Sequence, residues 1–185
     1  MANVIEWAGN LTQGLSQIIN MFYPITCKFA TSENAAIQQA AVFGIGACAR
    51  TYGVHFKAVS ANSIKFLMNL INQIGDNEDL QCVKDDAIGA VGKIARYSLT
   101  QDVNEQNEVL KYWIQYLPCK NDEEEARNIH DNLIYFIQNQ NPFISSKSDL
   151  CMQIFQACVS RDSDYSLPER KILSAQAYEW LKQQQ

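Results

Sequence analysis

Ala41-Val42-Phe43-Gly44-Ile45-Gly46-Ala47-Cys48-Ala49-Arg50 decides the fold, because its pattern returns at Ala87-Ile88-Gly89-Ala90-Val91-Gly92-Lys93-Ile94-Ala95-Arg96. A shift of 46 residues lays Ala41, Gly46, Ala49 and Arg50 on identical residues and exchanges Val42 and Ile45 for other aliphatics. A weaker echo follows at a shift of 39, where Ala87, Ala90 and Ile94 meet Ala126, Ile129 and Leu133. Within each copy the apolar residues recur at steps of three and four, the spacing of one helix face. Glycine inside a helix costs about 1 kcal/mol relative to alanine. Gly44, Gly46, Gly89 and Gly92 therefore point to helices that approach closely, with Gly46 and Gly92 at equivalent contacts. Gly44-Ile45-Gly46 is a poor phosphate-binding turn, since no strand precedes it and no helix starts there.

Working outward, the same periodicity runs through the whole chain. Val4, Trp7, Leu11, Leu15, Ile18 and Phe22 form one stripe that Pro24 should end. Helices are expected over about 35–52, closed by Gly53, and about 55–74, closed by Gly75. Others follow over about 79–97 and up to Pro118. The next starts at Asp122, where Asp122 and Glu125 read as a capping box. Asn141-Pro142 should stop it. A seventh carries Leu150, Ile154, Phe155 and Cys158, and an eighth starts near Ser166 with Pro168 and Glu169. Repeats of about 40 to 47 residues with two helices each are the mark of HEAT or armadillo arrays. The expected fold is an all-α solenoid of about four antiparallel helix pairs, one domain over residues 1–185.

Charge and composition narrow the function. The 185 residues carry a net charge of −5 and 47% hydrophobic residues. Only Arg170 and Lys171 are adjacent bases, so a nucleic-acid backbone is not an expected partner. No apolar run reaches the roughly 18 residues of a membrane span, and no basic signal start is present, so a soluble intracellular protein is expected. Between Asp76 and Asp131 there are 13 acids against 6 bases. That imbalance suits a basic partner. Six cysteines, none spaced as C-x-x-C, read as reduced thiols, with Cys48 and Cys158 in the core. Asp122-Glu123-Glu124-Glu125 reads as a helix N-terminus in preference to a metal site. His55 and His130 are the sole histidines, and no catalytic pair is expected. No catalytic residue, metal or cofactor is assigned.

Four blocks resemble a known family in order and spacing. They are Gln38–Ala49, Asp85–Ile94, Trp113–Pro118 with Lys120–Ala126, and Asn141-Pro142. The chain resembles the C-terminal HEAT repeats of the importin-β superfamily, nearest the importins that carry ribosomal proteins and histones. The resemblance implies a nuclear transport receptor that moves between cytoplasm and nucleus. It implies basic cargo on the concave side, FG-nucleoporins on the convex side, and Ran bound through N-terminal repeats that these residues do not include. One departure is at Ala36-Ile37-Gln38-Gln39, where an arginine rung of the family's polar ladder is missing.

The expected mechanism is non-catalytic binding. Asp102, Glu105 and Glu108, with Asp122, Glu123, Glu124 and Glu125, are the candidate contacts for lysine-rich cargo. They are expected to line up as one acidic ridge. Trp113 belongs to the core stripe with Leu110 and Leu117, whereas Tyr112 and Tyr116 are candidates for exposed contact. The competing readings are a HEAT scaffold in another complex and an α-helical hydrolase using a thiol.

Overall fold

The computed structural model describes residues 15–160 and 176–183. Helix α1 spans Leu15–Phe29, α2 Ala35–Tyr52, α3 Lys57–Ile74 and α4 Gln81–Lys93. They are followed by α5 at Val103–Trp113, α6 at Glu123–Gln138, α7 at Pro142–Ser145 and α8 at Ser148–Val159. Residues 176–182 are helical as well. No strand occurs among the described residues, and the fold is the expected all-α solenoid.

Local chemistry sets the boundaries. Asn34, Asp102, Asp122 and Asn141 each accept a hydrogen bond from the backbone N–H three residues on, at 2.9 to 3.2 Å. Gly53 and Gly75 end α2 and α3 at φ 55° and 51°, a conformation that disfavours a Cβ. Pro24 is a correction. It lies inside α1, not at its end. Phe22, Thr26 and Ala30 are buried around it, and the Tyr23 ring meets Phe56 edge-on at 5.3 Å. That packing offsets the roughly 3 kcal/mol that an interior proline costs. The Asn141-Pro142 stop also hides the short helix α7, in which Pro142 takes the first turn. The expected start at Ser166, Pro168 and Glu169, and the stripe through Val4, Trp7 and Leu11, lie outside the described residues.

The repeat unit becomes a row. α2 packs on α4, and α4 on α6, with α1, α3 and α5 forming a second layer against them. The two glycines of the repeat do not make equivalent contacts. A Cβ on Gly46 would lie 3.1 Å from the Ala90 Cα of α4, whereas one on Gly92 would lie 2.9 Å from the Trp113 ring of α5. Trp113 is fully buried, as the stripe implied, and its indole N–H donates to the Ile88 carbonyl at 2.9 Å. Phe136 meets it edge-on at 6.1 Å, fixing α4, α5 and α6 around one aromatic centre.

Candidate functional site

Parallel helices of one row put their N-termini at one end. Gln39, near the start of α2, donates to Asp122 at the start of α6 at 3.1 Å. Asp85, near the start of α4, accepts from the backbone N–H groups of Asn121 and Asp122 at 2.6 and 3.0 Å. The α5 helix runs the other way, so Asp102 and Glu105 sit at the opposite end. There they pair with Lys57 at the start of α3. The acids thus form two separate groups, and the expectation of one ridge is corrected. Its flaw was to align N-termini from helices of opposite direction.

The individual residues divide further. Glu108 is exposed and pairs with Lys111 one turn on. Tyr112 is 59% exposed, whereas Tyr116 is half-buried and donates to the Asn72 side chain at 3.0 Å. Glu123 and Glu124 face outward. Glu125 is only 1% exposed, which removes it from any surface contact. Nor does its carboxylate reach back to the start of α6. It accepts from the Lys93 ammonium at 2.8 Å, and the Asp122 N–H that it would have capped goes to Asp85.

Room for that inward turn comes from Gly89, since any Cβ there would overlap the Glu125 carboxylate. The Phe43 ring covers the Lys93 ammonium at 4.8 Å from its centre. Asp86 lies in the same junction, 3% exposed. Burial pushes its pKa up to about 8, the Glu125 and Asp122 charges push the same way, and Gln39 and Lys93 oppose them. Burial also raises the carboxyls of Glu125, against Lys93, and of Asp85, against the Asp122 and Asn121 N–H groups. The roles of Gln39, Asp85, Asp86 and Lys93 were not drawn from the sequence. One signal was present: Asp86 and Lys93 are seven residues apart, two turns along one helix face.

Beside this junction runs a groove of about 650 Å³. Phe22, Ile25 and Phe29 of α1 and Ile37, Ala40 and Phe43 of α2 make its apolar floor, and Asp86, Asp122 and Glu124 line its acidic end. Ile25, Phe29 and Ile37 are each 45–47% exposed, an unusual density of large apolar side chains at a surface. A ligand with one bulky apolar group beside one cation fits both parts.

Catalytic chemistry finds little support in the thiols. The fold does bring Cys158 to 3.8 Å from His130 Nε2, a pairing the sequence did not suggest. Both are shut in the core, at 0% and 3% exposure. Burial also pushes the Cys48 and Cys151 thiols up to about 12, away from the thiolate a nucleophile requires. Among the described residues no cluster of three or more His, Cys, Asp or Glu is arranged to hold a metal ion, and no helix is long and apolar enough to cross a membrane.

Comparison with known proteins bears on the chain as a whole. No family model matches it. Over 172 residues, 92% of the chain, it is 23% identical to importin subunit beta-3 of Saccharomyces cerevisiae, of which it spans 15%. Over 106 residues, 55% of the chain, it is 32% identical to a probable importin-5 homolog of Dictyostelium discoideum, of which it spans 10%. The chain therefore covers a small part of the length of these relatives. A stacked helical fold and similarity to two importins agree: the sequence relation of this chain is to the importin-β superfamily.

Proposed function

We propose that this chain serves as an importin-β-like receptor segment in protein import into the nucleus, shuttling between cytoplasm and nucleus. It acts by non-catalytic binding of a basic segment of protein cargo. The observation that carries this reading is the groove of α1 and α2, whose apolar floor ends in Asp86, Asp122 and Glu124. Lys93, whose ammonium lies against the groove-lining Phe43 ring, is already held by Glu125. A lysine or arginine from the cargo meets the Asp122 and Glu124 carboxylates there, and an adjacent Leu or Phe covers Phe29 and Ile37. Asp102, Glu105 and Glu108, already paired with lysines, contribute less.

Fluorescence anisotropy with a labelled peptide carrying one Leu beside two Lys tests this. Binding should weaken as salt rises, since exposed charges are screened over about 8 Å at physiological ionic strength. Glu124→Lys, at an exposed position, should weaken it with the fold intact. A peptide of Phe-Gly repeats without charge, offered as a nucleoporin-like control, should show no such salt response. The exposed Met21, Ile25, Phe29 and Ile37 also favour a second reading, a scaffold surface covered by another subunit. Binding that ignores both salt and Glu124→Lys would sink the cargo reading and leave the scaffold.

A further inference from the structure

A second pocket, opposite in charge to the groove, opens between α2, α4 and α6. Its volume is about 230 Å³, and Arg50, Lys93, Arg96, Asp131 and Asn132 line it. Lys93 is held by Glu125, and the other charged side chains that line the pocket are Arg50, Arg96 and Asp131. Asp131 is the competing anion. Burial raises its pKa above the ordinary carboxylate value, and Arg96 and Arg127 oppose that only in part. Arg50 and Arg96 are the pair that the 46-residue repeat superposes, so the pocket is a product of stacking two copies.

Arg96 is held in place before any ligand arrives. Its guanidinium lies 4.2 Å from the Tyr135 ring centre and 4.9 Å from that of Tyr97. It also donates to the Asn132 side-chain oxygen at 3.1 Å. That bond fixes the Asn132 amide. Its Nδ2 donor and the Arg96 Nε donor are both buried, and neither has a hydrogen-bond partner. Asn132 itself is 3% exposed. Buried donors left unpaired are costly, so such a place favours an acceptor. A planar guanidinium beside an amide N–H matches the planar face of a carboxylate better than a tetrahedral phosphate.

We propose that this pocket receives the carboxylate of an Asp or Glu side chain from a protein partner. The chain then engages acidic as well as basic segments, at different sites, and this assignment does not depend on the groove reading. The test is a titration of the whole chain followed by nitrogen–proton spectra, with acetate and then a capped Gly-Glu-Gly peptide, at constant ionic strength. Inorganic phosphate is the comparison ligand. Saturable shifts of the Asn132 side-chain amide and the Arg96 Nε–H are expected with both carboxylates. Arg50→Gln, an exposed change, should weaken them about tenfold, the usual worth of a hydrogen bond to a charged group. Asn132→Asp, equal in shape but anionic, should abolish the shift of the Arg96 Nε–H. Absence of saturable shifts at these two groups, unchanged affinity in Arg50→Gln, or tighter binding of phosphate than of acetate would each overturn the assignment.

Discussion

Two lysine–carboxylate pairs sit at opposite ends of the helix stack, and they do different things. Lys93 and Glu125 meet at 2.8 Å with side chains 3% and 2% exposed, under the Phe43 ring and beside Asp86. Lys57 meets Asp102 and Glu105 with side chains 34% to 48% exposed. The same chemistry is structural in the first place and nearly free in the second. Desolvation makes the difference. A buried charge that loses its partner has no water to turn to, whereas an exposed one is rehydrated at once.

The largest effect should come from breaking the buried pair. Lys93→Met leaves Glu125 buried without its cation, a change that costs about 3–5 kcal/mol. Gly89→Ala should act in the same direction by driving the carboxylate off α4. Replacing both partners, Lys93→Met with Glu125→Leu, should recover most of the loss, because a well-packed apolar pair is often as stable as a buried ion pair. Urea unfolding of the three variants checks the order. A double variant no better than Lys93→Met would show that the junction is held by something other than this pair.

The glycines come next. Gly46→Leu must push against the Ala90 backbone, and Gly92→Leu against the Trp113 ring. Overpacking of this kind costs about 1–3 kcal/mol and outweighs the gain in helix propensity. Backbone yields less than a ring, so Gly46→Leu should be the worse of the two. Stabilisation by both, read from urea midpoints, would contradict the packing described.

A third test uses pH. The folded pKa of Asp86 stands near 8, against 3.8 for the ordinary group. The folded state therefore binds the proton more tightly than the unfolded one. Its contribution is fully present below the unfolded value and is lost as pH rises through the folded value. Thermal midpoints should accordingly fall from about pH 5 to about pH 9, with Glu125 and Asp85, also raised, adding to the slope. Asp86→Asn should flatten it. A midpoint that climbs across this range would mean the junction is ionised and fully compensated.

How much of this was legible depends on what each residue needed to know. The α2 helix spans Ala35–Tyr52, as the sequence implies, because Asn34 and Gly53 are local signals with local causes. Pro24 misleads for the opposite reason: its tolerance depends on Phe56 and Ser63, far along the chain, which the neighbouring Tyr23 meets. Among the acids, the charge is visible in sequence but the direction of each side chain is not. Glu124 and Glu125 are neighbours, yet one faces water and the other Lys93. Spacing held part of the answer, since Glu125, Ile129, Asn132, Leu133 and Phe136 share the buried face of α6. A charge on such a stripe needs a buried partner. Locating Lys93 and the gap at Gly89 required the register between α4 and α6, which no single helix contains.

The smallest expected effect lies at the exposed end, and it completes the comparison. Burial scarcely touches Lys57 or Asp102. The Lys57 pKa is raised chiefly by its bond to Glu105, and the Asp102 pKa is lowered chiefly by the Glu105 backbone N–H. That N-cap bond survives removal of the lysine. Lys57→Met should therefore leave the thermal midpoint almost unmoved at physiological salt, where exposed pairs of this kind contribute little. Asp102→Ala should lower it more than Lys57→Met does, because the first turn of α5 then loses its acceptor for the Glu105 N–H. If Lys57→Met proves as damaging as Lys93→Met, exposure does not separate the two pairs, and the end carrying Lys57 must be covered in solution.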